Sequence, residues 1–309
     1  VFTVSCAGGV RLDCFLPGTQ EPLEGETGYA VTLSGLLGGH SGMDISKGRA
    51  SANQMMVRTL YSAMERCPGL RLCGIQGGRF DNVICPKNEA LVSVPTQEAG
   101  DFEAFIREFD AILKNEYAGC DSGITLSCGR AEADGALSRE ATSRILHTLL
   151  VVPQGVQAMN VDFPGLVQTS LNLGIMGMEA DGLHFSISVR SCIASQKAMM
   201  VQRLRALLEL SGGTMSPRSD YPGWQYARQS ELREDVLAAW QAVSGQEGKI
   251  EATHGGLECG LFIEKIPGLD AVSLGPELHD VHSVKERLSV PSTRRVYELV
   301  LELLKRSNR

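Results

Sequence analysis

No run of the ~18 to 20 uncharged apolar residues needed to span a bilayer occurs in these 309 residues. The opening residues Val1-Phe2-Thr3-Val4 also lack the basic-then-apolar order of a signal peptide. A cytoplasmic chain without a membrane partner is expected. CxxC spacing is absent as well. The nine cysteines, Cys6, Cys14, Cys67, Cys73, Cys85, Cys120, Cys128, Cys192 and Cys259, are odd in number and scattered. That argues against a disulfide framework or a thiolate zinc site and for buried reduced thiols. A basic surplus is missing too: 29 Lys and Arg stand against 36 Asp and Glu, a formal net charge of −7. Phosphate binding is driven by positive surface, so no nucleic-acid or anionic-lipid partner is expected. Finally, there is no HExxH helix and no His-rich cluster to build a complete metal shell.

What is present fits a soluble globular protein: 43% hydrophobic residues, 21% charged residues and 34 glycines. The length allows about two domains at ~150 residues each. The chain opens on Val1 in a strand-like run, and a preceding segment is expected. Alternating apolar residues from Tyr29 to Leu36 predict a strand ending in a glycine cluster. Ala50 to Arg66 reads as a helix stopped by Pro68-Gly69, with strands at Leu70 to Gln76 and Ala90 to Val94. Asp101 is placed as the cap of a helix whose stripe is Phe102, Phe105, Ile106, Phe109, Ile112 and Leu113.

A similar order follows. A strand at Ile124 to Cys128 leads to a helix from Ser138 to Leu150, then to two strands around the turn Glu179-Ala180-Asp181-Gly182. In the second strand Leu183, Phe185, Ile187 and Val189 alternate with His184, Ser186, Ser188 and Arg190, so one face packs and the other meets ligand or solvent. A helix from Ser195 to Leu210 closes the unit. Strand and helix pairs repeated in this way predict an α/β fold with two α/β sandwiches, each a sheet with helices on one face. Periodicity breaks at Pro217 to Trp224, where a domain boundary is placed. Beyond it come a helix at Leu232 to Val243, a strand at Lys249 to Ala252, a short apolar segment at Gly260 to Phe262, a strand at Ala271 to Leu274, and a terminal helix carrying Val296, Leu299, Val300, Leu303 and Leu304. These read as the last part of a larger mixed sheet.

Three places can carry chemistry. In Gly38-Gly39-His40-Ser41-Gly42 an imidazole sits among glycines after a strand, where it can donate a hydrogen bond to a developing oxyanion; the plainer reading is a tight turn with a surface His. His254-Gly255-Gly256-Leu257-Glu258 joins a His, two glycines and an acid at the end of a strand, where α/β proteins place their sites. In His279-Asp280-Val281-His282-Ser283 either histidine suits zinc and Asp280 a supporting role, against two polar loop histidines. Arg190 suits bidentate pairing with a carboxylate, or a structural ion pair. His147 reads as a helix residue, and His184 as a strand-face residue.

At these residues the chain resembles the aminoacyl-histidine dipeptidases, the zinc metallopeptidases also called cytosol non-specific dipeptidases. The matching stretches are Cys6-Ala7-Gly8-Gly9, Gly35 to Gly42, Gly77-Gly78 followed by Asn82, Thr169 to Gly174 (TSLNLG), Tyr221 to Trp224 (YPGW), His254 to Phe262, and Ser273 to Pro276 leading to His282-Ser283. The resemblance implies a lid and dimerisation domain over residues 18–220, between a tail of catalytic domain at 1–17 and the C-terminal part of a mixed-sheet α/β zinc-peptidase catalytic domain at 221–309. It implies a homodimer through the lid and a dipeptide substrate, Xaa-His among others. His40 becomes the oxyanion donor, Asn82, Arg190, Gly255 and Gly256 hold substrate, with Arg190 on its carboxylate, and His282 ligates one of two zinc ions.

Three departures stand out. His282-Ser283 is followed by Val284-Lys285-Glu286 instead of Pro-Asp/Glu-Glu, and Cys85 interrupts Ile84-Pro86 after Asn82. The family's HxDxVP-like segment, with most zinc ligands and the general base, is absent from these residues. The resemblance therefore implies a chain inactive by itself. The competing readings are a non-catalytic peptide-binding or dimerisation module, and a related di- or tripeptidase.

Overall fold

The computed structural model describes residues 1–281 and 283–307. It begins with strands β1 (Phe2–Cys6), β2 (Gly8–Pro17), β3 (Gln20–Glu21), β4 (Glu26–Ser34) and β5 (Gly39–His40). Helix α1 (Ala52–Arg66) leads to β6 (Arg71–Gly77), β7 (Val83–Ile84) and β8 (Asn88–Pro95). Next come α2 (Ala99–Glu116), β9 (Thr125–Arg130), β10 (Ala136–Leu137), α3 (Arg139–Val151) and β11 (Gly155–Met159). The long hairpin β12 (Val167–Glu179) and β13 (Gly182–Ser191) is followed by α4 (Ala194–Leu210) and β14 (Thr214–Tyr221). The C-terminal region adds α5 (Glu231–Ser244), β15 (Ile250–Thr253), α6 (Glu258–Lys265), β16 (Leu278–His279), β17 (Arg287–Leu288) and α7 (Val290–Ser307).

Local chemistry explains most of these boundaries. Ser138 caps α3 by accepting from the Ala141 amide at 3.1 Å, and Ser230 caps α5 by accepting from Arg233 at 3.0 Å. Helix α2 starts earlier than expected: Asp101 lies in its first turn, and Glu98 holds the cap position without a side-chain bond. A carboxylate there still suits the positive end of the helix dipole. Phe102, Phe105, Ile106, Phe109 and Leu113 are buried as the spacing predicts, but Ile112 turns to solvent.

The two sheets expected from the repeated strand and helix pairs are continuous. Nine antiparallel strands run β14-β2-β13-β12-β6-β8-β4-β9, with β11 added against β12. The halves join where Met176 and Gly177 of β12 pair with Gly77 and Gln76 of β6. Along β4, Tyr29, Val31 and Leu33 are buried and enter one core with side chains of α1, α2, α3 and α4. Strand β2, which the division at residue 18 places in the catalytic segment, is hydrogen-bonded on both sides inside this sheet. The predicted break at Pro217 is strand β14, an edge, which is where a sheet tolerates a residue lacking its N–H.

The second region is thin. β1 pairs in parallel with β15, and Phe2, Val236, Ala239 and Leu299 form a separate small core. The strand expected at Ala271 to Leu274 is a single bridge, Ser273 to Thr3, and the segment Gly260 to Phe262 belongs to α6. The chain's crossings between the two cores lie side by side: Cys6 bridges Trp224, and a Cβ at Gly8 would stand 2.3 Å from the Gly223 nitrogen. All nine cysteines are free and six are buried. Among the described residues no helix is long and apolar enough to cross a membrane.

Candidate active site

Antiparallel register sets four residues in a row across the sheet. Ser170 on β12 faces Arg190 on β13, Arg190 faces Gly9 on β2, and Gly9 faces Tyr221 on β14. Side chains opposite one another share a face. Gly9 leaves the space in this row that the Tyr221 hydroxyl fills, since a Cβ there would lie 2.6 Å from that oxygen. The Arg190 Nη1 donates to the Tyr221 hydroxyl at 3.2 Å. Arg190 is 8% exposed, its Nε has no hydrogen-bond partner, and no acidic side chain among the described residues pairs with it. A buried guanidinium left this way has donors to spare for an anion, and its fork geometry suits a carboxylate.

The loop after β15 crosses over the row. At one end the His254 Nε2 lies 2.7 Å from the Ser170 Oγ, and both side chains are buried. At the other end Gly256 packs against the Tyr221 ring, so close that a Cβ would meet it at 2.8 Å. Gly255 is held between them by its amide bond to the Thr253 hydroxyl at 3.1 Å. Burial, and then the Arg190 charge, push His254 down to about 4, against a smaller pull from the Val167 carbonyl. It is a neutral ring at any ordinary pH.

The His40 loop arrives from the other half of the sheet. Strand β5 pairs His40 with Val83, and the Ser41 amide donates to the Asn82 carbonyl at 2.9 Å. The His40 Nδ1 accepts from the amides of Gly42 at 3.1 Å and Met43 at 3.2 Å. With Nδ1 occupied as an acceptor, the ring proton belongs on Nε2, which is then a donor. Burial, and next the Arg190 charge, lower the His40 pKa, with Asp44 opposing. The loop is tied at several points. The Asp44 Oδ2 accepts from the His40 amide at 2.7 Å, and the buried Asp121 accepts from the amides of Leu37 at 2.6 Å and Ala50 at 2.7 Å. Gly42 is tightly enclosed: a Cβ there would stand 3.1 Å from the His40 Cε1 and 3.2 Å from the His254 carbonyl oxygen, so either neighbour would have to give by a few tenths of an ångström.

A single chain thus gathers His40, Asn82, Arg190, Gly255 and Gly256. Asn82 sits in a turn whose neighbours Asp81 and Val83 offer their carbonyls to the Asn172 amide at 2.9 Å each. The insertion at Cys85 is absorbed inward: that thiol is fully buried, donates to the Lys87 carbonyl, and its own carbonyl accepts from Ala52. His282 lies outside the described residues, and His279 is exposed on β16. His147 packs edge-on against Tyr61 on a helix, and His184 bonds Asp181 at 2.9 Å and lies against the Phe15 ring.

Among the described residues, Glu179, Asp181 and His184 bring ligand atoms within 4.8 Å of one another. That turn does not fit the implied zinc pair, because both acids are exposed and His184 stands six strand positions from Arg190, roughly 20 Å. No such donor group forms beside His40 or His254 among the described residues. Ser170 and Tyr221 were visible only as members of the matching stretches Thr169 to Gly174 and Tyr221 to Trp224, and Asp121 not at all, since each acts on a segment that is distant along the chain.

Comparison with known proteins adds three findings. A peptidase dimerisation domain of the M20 type matches residues 31–120. The cytosol non-specific dipeptidase of Escherichia coli (strain K12) is 32% identical over 305 residues, covering 98% of this chain and 62% of its own length. The crystal structure of aminoacylhistidine dipeptidase from Vibrio alginolyticus superposes with a TM-score of 0.92 at 28% identity, again over 98% of this chain and 62% of that one. The chain therefore spans under two thirds of the length of these relatives.

Proposed function

From its likeness to the cytosol non-specific and aminoacylhistidine dipeptidases, we propose that this chain belongs to their family and carries the substrate-holding part of a metal-dependent dipeptidase. The observation that carries this reading is Arg190, a buried guanidinium without an acidic partner among the described residues, beside a neutral His40 whose Nε2 proton is free to donate. Arg190 takes the C-terminal carboxylate of the dipeptide. His40 donates to the scissile carbonyl oxygen and strengthens that bond as negative charge develops there, an effect large in a water-poor cleft. Its lowered pKa suits a donor that stays neutral. Asn82 and the backbone of Gly255 and Gly256 line the cleft.

Metal in this family, commonly zinc, activates water; His282 is the proposed ligand from this chain. No hydrolytic step is assigned to the described residues. A second reading is a module that binds peptide without turning it over, which the buried guanidinium of Arg190 serves equally. Residues 18–220 form the lid, with strand β2 built into its sheet, and the segment matched as a dimerisation domain makes a homodimer of it. The relative's cytosolic setting carries over as part of the proposal.

The test is a titration of the 309-residue chain with glycyl-histidine and with its C-terminal amide, followed by NMR. The amide should bind at least ten times more weakly, and Arg190→Met should remove the difference. Equal binding of acid and amide by the unaltered chain overturns the assignment. Hydrolysis by the chain alone should stay at background with zinc added, and clear zinc-dependent turnover overturns that part.

A further inference from the structure

We propose that His254 is a positioning residue that ties the C-terminal region to the sheet and sets two walls of the cleft at once, the Gly255-Gly256 backbone and the His40 loop. The proposal rests on reading this cleft as the dipeptide site. Three contacts meet at this one residue. Its side chain is held by Ser170, at the end of the row that contains Arg190. Its chain continues directly into Gly255 and Gly256, whose far end rests on Tyr221. Its carbonyl oxygen faces Gly42, with the thickness of a glycine between it and the His40 ring. Gly42 and Met43 supply the amides that fix the His40 tautomer, so whatever locates Gly42 also locates the Nε2 proton.

The chemistry of the residue fits the place. Arg190 is a neighbouring cation without a counter-charge among the described residues, so a cationic side chain at 254 would be repelled, whereas a neutral imidazole keeps one nitrogen for Ser170. The bond joins β12 of the large sheet to the end of β15 in the second region, so it acts across the two cores. Buried hydrogen bonds of this kind are costly to leave half-made.

The test uses the complete 309-residue chain and hydrogen exchange read by NMR. His254→Ala should speed exchange of the Gly42, Met43 and Gly255 amides at least tenfold and alter the ring nitrogen shifts of His40, while amides of α1 and α2 keep their rates. Ser170→Ala, which keeps the imidazole, should move the same amides in the same direction, and covers the case in which His254→Ala folds poorly. His254→Gln places an amide where Nε2 stood and should restore slow exchange; His254→Asn reaches only to the Nδ1 position and should not. Unchanged rates at Gly42 and Met43 in Ser170→Ala and His254→Ala overturn the proposal, as do equal effects of Gln and Asn. Failure of the dipeptide reading appears elsewhere, as loss of the difference between acid and amide ligands, and leaves these exchange rates untouched.

Discussion

Around the nine-stranded sheet, side chains as large as Phe102, Leu60 and Leu72 are completely enclosed, whereas on α7 Tyr297 is 64% and Leu304 57% exposed. The two regions obey the same patterning rules and reach different ends. In the sheet region every amphipathic helix finds a broad apolar face, because β12, β13, β6, β8 and β4 present their alternate side chains together. In the second region the helices meet a sheet of two short strands, too narrow to cover a helical stripe, so Phe262, Val290 and Tyr297 stay in water. An apolar stripe in sequence promises a helix and a buried face; it does not fix how wide the surface is that meets it. Arg190, His40 and His254 gather where the two regions touch.

The contrast can be broken most directly by cutting the chain. Residues 8–221 expressed alone should melt cooperatively, and residues 222–309 alone should show no cooperative transition; a sharp melt of the second piece would erase the distinction. Next in size, Phe102→Ala, which empties a fully buried site against Tyr29, should cost ~3 to 5 kcal/mol in urea unfolding. Leu299→Ala in the small core should cost less, since Leu237, Trp240 and Leu303, packed against that core, are only partly covered.

Acid should separate the regions selectively. His254 is held at about 4 in the folded chain, against ~6.5 when unfolded, so the unfolded state binds the extra proton between these values. Stability from this group is complete above ~6.5 and is lost as pH falls towards 4, by roughly 3 kcal/mol. His40, also lowered, adds in the same direction. Urea midpoints across that window should fall less in His254→Gln; an identical fall would assign the acid sensitivity elsewhere. A smaller effect is expected from Asp121→Asn, which weakens the two bonds holding the ends of the His40 loop and should cost ~2 kcal/mol, with faster amide exchange at Leu37 and Ala50. Smallest of all, Arg294→Ala removes an exposed pair with Glu298 on α7 and should change stability by about 0.5 kcal/mol or less.

Much of this was legible in sequence. Helices α1, α3, α4, α5 and α7 and the hairpin of β12 and β13 follow from periodicity, capping serines and the turn at Asp181-Gly182. The reading erred where a local signal had two meanings. The break in periodicity at Pro217 is an edge strand that runs on to Tyr221, and Ala271 to Leu274 had the composition of a strand but found no second neighbour to pair with. The motif glycines and His40 were visible because their spacing is local.

The sequence alone determined the helical stripes, the alternation that puts Arg190 on the polar face of its strand, and the glycine-flanked His40, since each depends on neighbours a few residues away. Tertiary structure decided the rest: that the two halves share one sheet, that Asp121 reaches back more than seventy residues to hold a loop, and that Ser170, Tyr221 and His254 gather around Arg190, which has no acidic partner among the described residues. Those relations come from strand order and register, which bring together residues far apart in the chain, and no local pattern records them.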